Sequence, residues 1–208
     1  SEEDGKLLEQ YGADGGKVLL CVGSINERKN QCQIVRAFQL LPADVQNKIK
    51  VLFCGKDGMK GKLEQEIFKA GLQERLHYVG ALSSEEMKRY YSIADGLIMP
   101  SRAEGLSIAA LEAIAYGIPV LMFDDVECAD DMQDKRVVCF AGERTDISLA
   151  DAITKWYGQT WDKDYIRRYS QSFSAERMAY DYVKYYQRRL EGKTSQPETD
   201  EGMLHWKQ

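Results

Sequence analysis

Residues 95–123 read DGLIMPSRAEGLSIAALEAIAYGIPVLMF. Two short apolar runs of strand length, DGLIMP (95–100) and PVLMF (119–123), flank a segment of helical length and spacing, 107–116. Neither run alternates apolar with polar side chains, so each predicts a strand covered on both faces, as in a parallel sheet. VLLCVG (18–23), KVLFCG (50–55), LHYVG (76–80) and VVCFA (137–141) repeat the pattern, with helical segments near 30–41, 60–71 and 84–93 between them. This βαβα rhythm predicts an α/β protein on a doubly wound parallel sheet. Asn30, and Ser83 with Ser84, stand where helices start; Gly71 and Gly117 stand where they stop. Beyond residue 146 the strands end, and 146–158, 161–171 and 174–190 predict C-terminal helices rich in aromatics. Among these, Tyr182, Tyr185 and Tyr186 either pack on the sheet domain or cover a neighbour absent from this chain. Residues 191–208 open with EGKTSQPETDEG, polar and without apolar period, and predict a disordered tail.

The 208 residues suffice for one large domain or two small ones, and 44% apolar content supports a real core. No apolar run approaches the roughly 20 residues that cross a bilayer, and the first residues lack a signal-type core. Twenty-eight basic against 33 acidic residues give a formal charge of −5, which argues against general nucleic-acid or anionic-lipid binding. Any anion site must be local. The five cysteines (21, 32, 54, 128 and 139) are odd in number and widely spaced, which predicts buried free thiols and a reducing cytoplasm. No CxxC pair or Cys/His cluster suggests zinc, so no structural metal site is expected.

Within 105–123 one side chain is charged, Glu112. With Ile108 at 0° and 100° per residue, Leu111 falls at about 300°, Ala115 at about 340° and Glu112 at about 40°, inside the apolar arc. This predicts an inward-facing carboxylate, costly unless hydrogen-bonded. Polyol hydroxyls such as those of a ribose would supply donors; a structural salt bridge, or reach to solvent past small alanines, are the alternatives. Glu104 follows the strand ending in MPS, and Gly105 lets the chain turn into a helix beginning near Ser107. That junction points backbone N–H groups and a positive dipole end outward from the carboxyl edge of the sheet, where open parallel sheets bind ligands. In VGSINERKNQ a strand ends at Gly23, and Arg28, Lys29 and Asn30 precede the next helix. Two adjacent cations there either clamp a diphosphate or form a solvated loop. In GKDG (55–58), Gly55 and Gly58 either contact a nucleotide or serve turn geometry alone. The aspartates of FDD (123–125) are expected to begin a turn rather than to hold a metal.

These residues resemble a known family. PSRAEGLSIAALEAIAYGIPV, with seven residues between Glu104 and Glu112, resembles the donor-binding signature of the retaining glycosyltransferases of family 4, also called group 1, with the GT-B fold. VGSINERKNQCQIVRAFQLLP resembles the first strand and helix of that family's C-terminal domain, and FCGKDG its next strand and turn. HYVGALSSEEMKRYYSIADGLIMPS resembles the lead into the signature, and SFSAERMAYDYVKYYQRRL also fits. The match runs from about 17 to 141. Departures stand at Ser24, where the family commonly has a phosphate-binding arginine, at Asn30, commonly glycine, and at Gly105-Leu106-Ser107, more usually Gly-Phe-Gly.

The resemblance implies a Rossmann-like domain, half of a GT-B fold, that binds a nucleotide-diphospho-sugar donor. It implies that Glu112 binds ribose hydroxyls, that Glu104 lies by the donor sugar and that Lys29 binds phosphate; beyond the family pattern, Arg28 is expected to supply the charge absent at Ser24. Backbone around Gly105, Leu106 and Ser107, with Gly23, Ser24 and Gly55 on the neighbouring loops, would complete the donor cradle. Transfer with retention in polysaccharide or glycoconjugate biosynthesis is the implied activity, with no metal and no cofactor beyond the donor. Residues 1–16 would be an interdomain linker, 17–190 the donor domain, and the acceptor-binding N-terminal half would be missing, leaving any peripheral membrane contact to that half. Such a fragment would transfer weakly alone. A non-catalytic nucleotide-sugar subunit and a sugar-nucleotide epimerase are the rival readings.

Overall fold

Alternation inside the apolar runs sorts the core into two layers. In β1 (Lys17–Val22), Leu19 and Cys21 point to one face and Val18 and Leu20 to the other, and all four are buried. The same division runs through β2 (Ile49–Cys54), where Val51 and Phe53 oppose Leu52 and Cys54. With β3 (Leu76–Gly80), β4 (Gly96–Met99), β5 (Val120–Phe123) and β6 (Val138–Ala141) they form one six-stranded sheet in the order β3-β2-β1-β4-β5-β6. Every pairing is parallel. The computed structural model describes residues 2–11, 16–174, 177, 180, 183 and 184. Tyr182, Tyr185, Tyr186, the tail 191–208 and most of the helix expected over 174–190 lie outside them.

One face is covered by α2 (Cys32–Phe38), α4 (Lys62–Lys69) and α7 (Asp146–Gly158), which bring Ile34, Phe38, Leu63, Ile153 and Trp156 onto Leu19, Phe53 and Leu121. The opposite face takes α5 (Ser84–Ile93), α6 (Ile108–Ala115) and α8 (Lys163–Ser170), through Tyr90, Tyr91, Ala113, Ile114 and Ile166. A one-turn α3 (Ala43–Gln46) leads into β2. Helices on both faces explain strands that are apolar over most of their length, with Lys17, Lys50 and His77 the polar exceptions. Gly96 belongs to this packing: a Cβ there would stand 2.6 Å from the indole of Trp156, so its absence lets α7 close on the sheet.

The expected helix ends hold in most places. Ser83 caps α5 in a reciprocal box with Glu86, Ser107 Oγ accepts from the Ala110 N–H, and Gly71 and Gly117 take the left-handed conformation just past α4 and α6. Asn30 does not cap: α2 begins two residues later, and Asn30 itself is left-handed, φ 56°. Asparagine tolerates that region better than other non-glycine residues, so glycine and asparagine are exchangeable here. The stretch 1–16 contains a helix, α1 (Glu2–Tyr11), whose Tyr11 ring packs 5.5 Å from His77 and 6.2 Å from Tyr90. All five cysteines are free and buried.

Candidate functional site

The loops after β1 and β4 meet at the carboxyl edge of the sheet, where the strand order reverses between β1 and β4. Asn26 and Gln31 shape the first loop. Asn26 Oδ1 accepts from the Lys29 N–H (2.9 Å), and the buried Gln31 amide accepts from Asn26 N (3.2 Å) and donates to Ser24 O (3.1 Å). These bonds aim Lys29 across the edge. Its Nζ reaches Glu104 Oε2 at 2.5 Å, with the two side chains only 16% and 11% exposed. Gly23 makes room, since a Cβ there would stand 3.3 Å from Lys29 Cε. Arg28, 55% exposed, donates to Ala103 O (2.8 Å) and reaches Glu104 Oε2 at 3.4 Å. Two cations therefore share one carboxylate oxygen, an arrangement whose charge-assisted bonds fix the lysine while leaving it further donors.

Glu104 is anchored through its backbone as well. The Glu127 carboxylate accepts from its N–H (2.9 Å), and Cys128 N donates to its carbonyl (3.0 Å). The segment Gly105, Leu106, Ser107 then leads into α6. Ser107 is buried and its hydroxyl is used by the cap, whereas Gly105 and Leu106 are exposed. Among the described residues, none accepts from the backbone N–H groups of these three. Those groups sit at the positive end of α6, the place where oxygen anions find donors.

Glu112 departs from expectation. It is exposed, not turned inward, and Oε2 accepts from the Tyr91 hydroxyl at 2.8 Å. The helical wheel failed because α6 is apolar nearly all round. Ala110, Ala113 and Ile114, at roughly 200°, 140° and 240° on that wheel, are the buried arc, and Ile108 is 69% exposed. The small residues allow α6 to lie close on the sheet, so Glu112 shares the outer side with Ile108. Tyr91 is buried and stacks on Tyr116 at 5.3 Å; burial, then the Glu112 carboxylate, push its phenol well above the ordinary range. It stays a donor at any working pH. Glu112 makes no contact with the Lys29 and Glu104 pair; it stands apart on α6.

Gly55 has a packing explanation. A Cβ there would fall 2.0 Å from the Gly23 carbonyl, and one at Gly58 2.8 Å from Ile25 O, so the loops after β1 and β2 run backbone to backbone. Asp57 closes that turn on Met59 N and Gly61 N (2.7 and 2.6 Å). Asp124 and Asp125 form the expected turn, and Asp125 pairs with Arg144 Nε at 2.6 Å. Sequence reasoning missed Tyr91, Glu127 and Arg144; no motif carries them, and each is found only through what it touches.

A parallel sheet wound on both sides, with a cation pair and open helix-end donors at its switch point, makes a Rossmann-like domain of the α/β class. The chain belongs to the group 1 glycosyltransferases: the family described as Glycosyl transferases group 1 matches residues 5–172. The chain is 26% identical over 159 residues to the O-antigen chain mannosyltransferase B of Escherichia coli, covering 76% of this chain and 40% of the relative. It is 28% identical over 160 residues to a GDP-mannose-dependent alpha-(1-6)-phosphatidylinositol monomannoside mannosyltransferase of Mycolicibacterium smegmatis, covering 74% and 41%. A solved C-terminal domain of the group 1 family protein LpcC from Francisella tularensis superposes with a TM-score of 0.63 at 18% identity, covering 82% of this chain and 89% of that one. The chain spans about two fifths of the length of these two curated relatives. Among the described residues no helix is long and apolar enough to cross a membrane.

Proposed function

We propose that this chain is the donor-binding part of a retaining glycosyltransferase, taking a nucleotide-diphospho-sugar and serving polysaccharide or glycoconjugate synthesis together with an acceptor-binding half. The observation that carries this reading is the pairing of Lys29 with Glu104, at 2.5 Å, from two loops 75 residues apart at the sheet's carboxyl edge. Lys29 and Arg28 are assigned to the diphosphate. As the glycosidic bond breaks, negative charge builds on the departing nucleoside diphosphate, and cations fixed in advance stabilise it without reorganisation. Glu104, bonded to both, is assigned to the sugar end, with the N–H groups of Gly105, Leu106 and Ser107 for its oxygens. Glu112 is assigned to ribose hydroxyls. The counter-charge then comes from side chains, so EDTA is expected to leave donor affinity unchanged.

The experiment is a titration of the chain with GDP-mannose, UDP-glucose and ADP-glucose; the nucleotide named for the Mycolicibacterium relative puts GDP-mannose first. Binding at micromolar to millimolar concentration is expected. Glu112→Ala should weaken it tenfold or more, since a hydrogen bond to a charged group is worth about 1.5–3 kcal/mol. Lys29→Ala should weaken the nucleotide-sugar and the free diphosphate while leaving the nucleoside unaffected. Unchanged affinity in both variants would reject the assignment.

A further inference from the structure

The segment 101–104 has no regular secondary structure, yet each of its residues is tied to something outside it. Arg144, on the loop between β6 and α7, donates from Nη1 to Ser101 O (2.7 Å) and from Nη2 to Arg102 O (3.2 Å). Its guanidinium is itself fixed: Nε bonds Asp125 Oδ2 at 2.6 Å, and the plane lies 4.9 Å from the Phe123 ring. Its own carbonyl accepts from the buried Gln33 amide at 3.4 Å. Arg102 N donates to Arg28 O (2.8 Å), Arg28 holds Ala103 O, and the turn Glu127–Ala129 holds Glu104 at both N–H and carbonyl. Two of these anchors, Arg144 and Glu127, reach in from the chain between β5 and α7, and neither touches Lys29 or the Glu104 carboxylate.

We infer that Arg144 and Glu127 are positioning residues, forming a strap that holds the 101–104 backbone so that Glu104 meets Lys29 before any donor arrives. This rests on the donor reading above and assigns to that site two residues outside the glutamate motif. The physical basis is preorganisation. A loop that must be ordered on binding spends part of the interaction free energy on its own ordering, whereas one already fixed does not. An arginine suits the task because its rigid fork serves two carbonyls and a carboxylate at once, which a lysine cannot.

The strap lies at the Glu104 end of the site, away from Glu112, so its loss should be felt by one part of the donor and not the other. Affinities of the full chain for GDP-mannose and for GMP, with UDP-glucose and UMP as a second pair, separate the two. Arg144→Ala is expected to weaken the nucleotide-sugar tenfold or more and the monophosphate by less than twofold. Glu127→Ala should behave likewise, and Glu127→Gln, which keeps an acceptor for the Glu104 N–H, should restore affinity to within about threefold of the parent. Equal weakening of both ligands, or no weakening, overturns the inference. Amide hydrogen exchange in the ligand-free chain gives a second readout: Arg144→Ala should speed exchange at the bonded amides of Arg102 and Glu104 and leave β1 protected. If the parent chain binds no nucleotide-sugar, the donor reading fails; if exchange at Arg102 and Glu104 is then also unchanged by Arg144→Ala, the strap fails independently.

Discussion

The hydrogen bond from the Tyr91 phenol to the Glu112 carboxylate is the smallest unit on which the proposed donor role can be tested. Glu112 is exposed, so water can replace the phenol without unfolding anything, and Tyr91→Phe should leave stability within about 1 kcal/mol of the parent. On the proposed ribose role of Glu112, the phenol provides direction, because it occupies one carboxylate oxygen and leaves the other to accept from a ligand. Tyr91→Phe is therefore expected to lower GDP-mannose affinity roughly three- to tenfold, about 0.7–1.4 kcal/mol. Calorimetric titration beside a melting curve tests this; a lower Tm with unchanged affinity would make Tyr91 a packing residue only. Glu104 was legible in the sequence by its place after a strand, Glu112 as the one charge in an apolar run, and Lys29 by its place before a helix. Their partners were not. Lys29 and Glu104 lie 75 residues apart, and nothing local in 142–145 announces that Arg144 returns to the Ser101 carbonyl.

At the scale of elements, the strands and helix ends followed from rules that are local: apolar runs for buried strands, Ser83 and Ser107 as caps, Gly71 and Gly117 as stops. The facing of α6 did not, because periodicity locates a buried stripe only when the remaining positions are polar. Ile108, Leu111, Ile114 and four alanines are spread around the helix, so no polar stripe marks its outer side, and the arc of Ala110, Ala113 and Ile114 packed inward. Loop against loop was equally hidden. Gly55 reads as a turn or ligand glycine, but its lack of a side chain admits the Gly23 carbonyl. A backbone collision cannot be relieved by choosing another rotamer. Gly55→Ala should therefore cost at least about 2 kcal/mol in urea denaturation and displace the loop carrying Lys29, a loss of stability and donor affinity together.

At the scale of the whole molecule, acid is expected to act through Asp134, which joins the segment before β6 to α8. Hydrogen bonds from Arg136, and secondarily from Tyr165 (2.5 Å), hold its carboxyl at about 2 against partial burial, which opposes the shift. A carboxyl depressed on folding contributes stability that is complete above its ordinary value, near 4, and is lost as pH falls through its folded value. Asp134→Asn should flatten the stability profile between about pH 4 and 2 and leave neutral pH behaviour nearly unchanged in slope; an unaltered acid limb in chemical denaturation would reject this. The five buried thiols have a consequence of another kind. Burial pushes Cys21, Cys54 and Cys128 up to about 12 and Cys32 to about 11, so almost no thiolate exists at pH 8. Because Cys21 and Cys54 are buried under the helical layers on opposite faces of the sheet, an alkylating reagent can reach both only when the layers part, and the pace of labelling becomes a clock for that parting.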